Sequence, residues 1–142
     1  MDQQELFDLA LKFRQAIQDV KMDRNFYDMK DRMNYFPRGC CDDSADLFGY
    51  YLLHEYHISS KQGNGYCSKA DTNHAFTILP DGTIIDLTAD QFPFLSNQHD
   101  GIYVGQQNSF YRNLERMRVE NHFDITHDDR LWHDYQAIYA LL

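Results

Sequence analysis

The sequence predicts an α+β fold, with helices first, a small antiparallel sheet next and a closing helix. Three observations predict it. Apolar residues recur at helical spacing over 5–21 and again over 41–56. Two short apolar runs, 75–79 and 83–87, flank Pro80-Asp81-Gly82 in the manner of a hairpin. The helical period then returns from Asp128 to Leu142.

In the first helix Leu6, Leu9, Ala10, Phe13, Ile17 and Val20 share one face, and Asp8, Lys12, Gln15 and Asp19 share the other. Residues 22–35 are polar with scattered aromatics and predict at most a short helix, ending before Phe36-Pro37. Gly39 then gives the chain freedom to turn. The second helix opens near Cys41, with Asp42 and Asp43 suited to its first turn, and buries Leu47, Phe48, Tyr51 and Leu52. Gly49 falls inside it at a cost of about 1 kcal/mol relative to alanine, which implies close approach of another backbone. Residues 61–70 read as a loop around Gly63-Asn64-Gly65, a connector or a gate before His74. The hairpin follows, and residues 101–105 predict a third strand. Leu131, Tyr135, Ile138, Tyr139 and Leu142 face inward on the closing helix.

A chain of 142 residues is expected to form a single domain, residues 1–142, with no linker or repeat inside it. Its net charge of -9 argues against a nucleic-acid partner. It contains no run near the roughly 18 apolar residues a membrane span needs. Met1-Asp2-Gln3-Gln4-Glu5 lacks a basic leader, and three cysteines do not make a disulfide framework. The expected location is the reducing cytoplasm, away from membranes. Oligomeric state is not legible.

Chemistry concentrates in Gly39-Cys40-Cys41-Asp42-Asp43-Ser44, His74 and Asp86. The order is a thiol at a helix start, a histidine at a strand start and an aspartate on the next strand, and such a set supports covalent acyl chemistry. Hairpin register decides whether the last two meet. A three-residue Pro-Asp-Gly turn pairs Leu79 with Thr83 and sets Phe76 opposite Asp86. His74 then shares a face with Asp86, on a diagonal of roughly 7–8 Å between backbones. A two-residue turn would send His74 to the other face. Cys41 is preferred to Cys40 as nucleophile because it lies nearer the helix start, where the dipole and a neighbouring imidazolium favour the thiolate. Its own N–H could serve an oxyanion hole. Asp42 and Asp43 oppose that effect.

The run Phe36-Pro37-Arg38-Gly39-Cys40-Cys41-Asp42-Asp43-Ser44, with His74-Ala75-Phe76 and the segment Asp81–Phe92, resembles small bacterial and phage proteins akin to transglutaminase-like and papain-like cysteine enzymes. The resemblance spans residues 35–92. It implies a core with the cysteine at a helix start, packed on a small antiparallel sheet that carries histidine and aspartate. It further implies a Cys41–His74–Asp86 triad acting through a thioester on a peptide or protein substrate. Amide or peptide hydrolysis, glutamine deamidation and amine transfer are the reactions open to it. Asp86-Leu87-Thr88 has leucine where such cores often place proline, and Asp42 stands where they often carry an aromatic. No glutamine precedes the cysteine over residues 34–40, which leaves Gln91 as the oxyanion-hole candidate. No metal or organic cofactor is implied.

Each feature also has a plainer reading. Cys40 and Cys41 could be core residues or a strained vicinal disulfide. Asp86 could pair with a backbone N–H or with Arg38, and Asp90 competes as a carboxylate on the same segment. Tyr35, Phe36, Tyr66, Phe92 and Phe94 could line a pocket or fill the core. His54, His57, His122, His127 and His133 read as surface histidines, because no HExxH or CxxC spacing gathers them around a metal. The alternative function is a non-catalytic protein- or peptide-binding domain on the same fold.

Overall fold

The computed structural model describes residues 1–142. Helix α1 (Gln3–Met22) starts at an Asp2 cap whose carboxylate accepts from the Glu5 N–H, while Glu5 reaches back to the Asp2 N–H. Its apolar stripe is buried as the spacing requires. One 3₁₀ turn (Arg32–Tyr35) separates it from α2 (Cys41–Tyr56), which ends where His57 takes a left-handed φ of 56°. Five strands follow: β1 (Lys61–Cys67), β2 (Thr72–Ile78), β3 (Ile84–Asp86), β4 (Tyr103–Gly105) and β5 (Glu115–Glu120). A one-turn helix α3 (Ser109–Arg112) lies between the last two strands, and α4 (Asp129–Tyr139) closes the chain. All neighbouring strands are antiparallel, in the order β4-β3-β2-β1-β5. The architecture is therefore α+β.

Two cores sandwich the sheet. The larger joins α1, α2 and α4 to Leu79, Ile85 and Val104. The smaller is aromatic, built from Phe76, Phe92, Tyr103, Phe110 and Tyr111 with Ile84 and Leu95. Alternation along β2 and β3 distributes the side chains: Phe76 and Ile84 belong to the second core, Ile85 and Leu87 to the first. No helix is long and apolar enough to cross a membrane.

Of the segment expected to be a loop at 61–70, only 68–70 turn, and residues 61–67 are instead β1, second from one edge of the sheet and paired on both sides. Its glycines make room rather than a turn. A Cβ on Gly63 would lie 2.6 Å from Phe76 Cε2, and one on Gly65 2.8 Å from the Leu114 Cβ. The gate reading of this segment falls with the loop. Strand β5 had no hydrophobic signal because Glu115, Arg116, Arg118, Val119 and Glu120 are all exposed along an edge. At the opposite edge, the Gln3 side chain of α1 donates to the Val104 carbonyl of β4 at 3.0 Å.

Candidate functional site

The hairpin makes the three-residue turn. Gly82 N–H donates to the Leu79 carbonyl and Leu79 N–H to the Thr83 carbonyl, both at 2.9 Å, with Gly82 at φ +90°. Thr77 pairs with Ile85 and Ile78 with Ile84, so Phe76 stands opposite Asp86. His74 Nε2 meets Asp86 Oδ2 across the diagonal at 2.6 Å, and both side chains are wholly buried.

Asp86 survives burial because donors surround it. Tyr111 Oη donates to Oδ2 at 2.7 Å, Thr88 N–H to Oδ1 at 3.0 Å, and Thr88 Oγ1 lies 3.4 Å from Oδ1. The plainer reading was thus half right, since a backbone N–H is one partner. Arg38, by contrast, is exposed. Sequence reasoning missed Tyr111. It comes from α3, whose cap Asn108 accepts from the Phe110 and Tyr111 N–H groups. Asn108-Ser109 was the available signal, but a four-residue helix has no period to detect.

The imidazole packs edge-on against Phe92, with centroids 4.6 Å apart, and lies 5.8 Å from the Phe76 ring. Burial by itself pulls the His74 pKa down. The charge and hydrogen bond of Asp86, followed by the Cys41 side chain, outweigh burial and raise it to about 10. With Nε2 committed to Asp86, Nδ1 is the nitrogen left over. It is buried and has no partner at ordinary hydrogen-bonding geometry. Cys41 is near enough to act on the ring as a charge and a loose hydrogen-bonding partner.

Cys41 is the first residue of α2 and is half-buried. Ser44, Ala45, Ala75, Phe76, Ile85, Leu87 and Thr88 line a void with it too small to hold a water molecule. Cys40 differs. It is fully buried beside Ser44, and burial with the nearby Asp43 charge pushes its thiol up to about 12. The two thiols are free, with no vicinal disulfide.

The acids after Cys41 are matched by cations that sequence reasoning also missed. Arg130 of α4 bridges Asp43 Oδ2 at 3.0 Å and Asp31 Oδ1 at 2.8 Å. Arg32 reaches Asp43 Oδ1 at 2.9 Å and Asp42 Oδ2 at 3.5 Å. Burial raises the Asp43 carboxyl, and the Arg130 bond opposes that rise. Behind Arg130, burial and the neighbouring Asp31 push Asp134 up to about 9. Asp31 lies lower than usual, because bonds from Asp134, the Met33 N–H and Arg130 overcome its own burial. The two carboxyls therefore hold their protons unequally, Asp134 keeping its own to higher pH than Asp31.

Gln91 sits on the 3₁₀ turn Ala89–Gln91, three residues past Thr88, and its Nε2 is buried without a hydrogen-bond partner. Asp90 is drawn away from the site by Arg14, at 2.7 Å. Phe36 and Phe92 are core, whereas Tyr35 and Phe94 are exposed. His122 is not a surface histidine. It is largely buried, with Nδ1 2.8 Å from Asp46 Oδ1, and its ring occupies the space a Cβ on Gly49 would need. The close approach expected at Gly49 is therefore made by a side chain and not by a backbone.

Compared with protein-family models, curated proteins and solved structures, the chain matches none.

Proposed function

We propose that this chain carries out cysteine-dependent acyl chemistry through a thioester, on a core of the transglutaminase-like and papain-like kind. Hydrolysis of an amide or peptide bond, or deamidation of a glutamine side chain, is the favoured outcome. The observation that carries the reading is the buried His74–Asp86 pair at 2.6 Å, which leaves Nδ1 as the free ring nitrogen beside a half-buried Cys41.

Asp86 fixes a ring whose Nε2–H points at the carboxylate, as the acid of a catalytic triad does. Cys41 Sγ attacks the acyl carbon, and its proton resides on His74 Nδ1. That proton passes to the departing amine or ammonia, leaving a thioester. Nδ1 then takes a proton from water, hydroxide adds to the thioester, and the acid departs as Cys41 is restored. Gln91 Nε2 and the Cys41 N–H are the candidate oxyanion donors. Arg32 and Arg130 answer the objection that Asp42 and Asp43 would repel a thiolate, since each acid has a cation partner.

The test is site-resolved alkylation by iodoacetamide, followed by peptide mass spectrometry, in wild type and in His74→Gln. At pH 6.5 Cys41 should react well ahead of Cys40, Cys67 and free glutathione, and the lead should vanish in His74→Gln. A Cys41 rate equal to that of glutathione and indifferent to His74 would sink the proposal. The water-free void beside Cys41 favours a second reading, a non-catalytic domain that binds a protein or peptide, and that result would select it.

A further inference from the structure

A second hydrogen-bonded relay crosses the far side of α2. Asp46 Oδ1 lies 2.8 Å from His122 Nδ1, and His122 Nε2 lies 2.8 Å from Ser60 Oγ. Its polarity follows from the partners. An ionised carboxylate only accepts, so Nδ1 bears the hydrogen that points at Asp46. In the neutral ring Nε2 is then the lone-pair nitrogen and accepts the Ser60 hydroxyl hydrogen. Asp46 is itself held by Gln62 Nε2, donating to the same oxygen at 3.0 Å.

We propose that Ser60, His122 and Asp46 form a second nucleophilic centre, a serine esterase-type site for short-chain carboxylic esters, independent of Cys41. Ser60 is half-buried at the threshold of β1, and it lines with His122 a cavity of about 280 Å³. Tyr50, Leu53 and Phe123 supply the apolar wall of that cavity. A space this size is below the usual range for drug-sized ligands and suits an acyl group of a few carbons. Gly49 belongs to the same device, because any larger residue there would displace the imidazole. That accounts for a glycine inside α2 that helix propensity disfavours.

In the reaction Ser60 Oγ bonds to the ester carbonyl carbon while its proton moves to His122 Nε2. The carbonyl–alkoxy bond breaks, the alkoxide leaves with that proton, and an acyl-serine remains. Water then gives a proton to Nε2, its hydroxide adds to the acyl carbon, and the bond to Ser60 breaks as Oγ takes that proton back, releasing the carboxylic acid. Ester and water are the only reactants. Asp46 is a positioning residue that selects the tautomer.

A short-chain alkyl fluorophosphonate tests this on the full chain, because it traps a base-activated serine irreversibly: the P–O bond to Oγ forms as fluoride leaves. Peptide mapping separates Ser60 from its exposed neighbour Ser59, an internal standard of ordinary serine reactivity. Ser60 should be phosphonylated at least ~100-fold faster than Ser59, the scale a positioned general base contributes. Asp46→Asn keeps the side-chain shape and turns an amide N–H toward Nδ1. It should impose the wrong tautomer and cut the Ser60 rate by a similar factor, with the circular dichroism of wild type retained. His122→Gln, a second variant, should bring Ser60 down to the level of Ser59. Equal labelling of the two serines in wild type, or a Ser60 rate untouched by Asp46→Asn or by His122→Gln, overturns the proposal.

Discussion

Two imidazole–carboxylate pairs flank α2, and they are built in opposite senses. His74 gives Nε2 to Asp86 and keeps Nδ1 free; His122 gives Nδ1 to Asp46 and spends Nε2 on Ser60. The first pair is sealed, with neither side chain exposed, whereas His122 and Asp46 keep 13% and 7% exposure. Asp86 also collects a tyrosine hydroxyl and a backbone N–H, while Asp46 collects one glutamine amide. Removing one member of a sealed pair leaves the other charged and buried without a partner, whereas a partly open one can be altered at lower cost. The pair that can least be removed is also the one beside the thiol.

Truncation should separate them most widely. Asp86→Ala leaves a buried imidazole and two orphaned donors, and is expected to lose about 3–5 kcal/mol in urea unfolding. Asp46→Ala, at a less completely sealed carboxylate with fewer donors, should lose only about 1–2 kcal/mol by the same measurement. Equal losses would erase the distinction. Gly49→Ala comes next. Its Cβ meets the His122 ring, and overpacking of that kind costs about 1–3 kcal/mol. The loss should disappear when His122 is also shortened to alanine, a double-mutant cycle that reports the contact itself.

Acidity sharpens the contrast. The folded protein holds the His74 proton up to about pH 10, whereas an unfolded chain releases it near the ordinary 6.5. The stability this proton supplies is complete below pH 6.5 and is lost as pH rises through 10. The urea midpoint should therefore fall more steeply between pH 7 and 10 in wild type than in His74→Gln, which keeps only the decline owed to other groups such as Asp134. Tyr111→Phe removes one donor from Asp86 and should cost about 1–2 kcal/mol, with the Cys41 alkylation rate shifting in the same variant. The smallest effect belongs to Asp134. Its carboxyl stays protonated in the fold up to about pH 9, so holding it neutral costs more as pH climbs from 4 toward 9. Asp134→Asn keeps an acceptor for the Tyr27 N–H and removes the titrating carboxyl. It should raise Tm by about 2–4 °C at pH 8, the equivalent of ~1 kcal/mol, and leave it unchanged at pH 4.

The contrast also explains how much was legible beforehand. Helices α1, α2 and α4 announce themselves by period, and the hairpin by Pro80-Asp81-Gly82, whose turn length alone dictates that His74 and Asp86 share a face. Strand β1 was hidden because its glycines resemble a turn until Phe76 and Leu114 are seen to occupy the space beside them. Strand β5 was hidden because an exposed edge demands no apolar alternation. Tyr111, Arg32 and Arg130 act on the site from 25 residues or more, or from polar segments with no pattern, and only tertiary packing brings them in. His122 reads as a surface histidine for the same reason: its partner Asp46 is 76 residues away.

The charged strand β5 bears on a matter apart from chemistry, which is why the sheet stops at five strands. An exposed edge is a template on which a second molecule can dock its own backbone and begin a fibre. Here Glu115, Arg116, Arg118 and Glu120 line one border, with the pairing register interrupted between Asn64 and Tyr66. At the other border, Gln3 already occupies the Val104 carbonyl. One margin repels a newcomer by charge and irregularity, and the other has its acceptor taken. Replacing the β5 charges with threonine or valine would expose a longer, flatter template and turn a self-limited sheet into an aggregation seed.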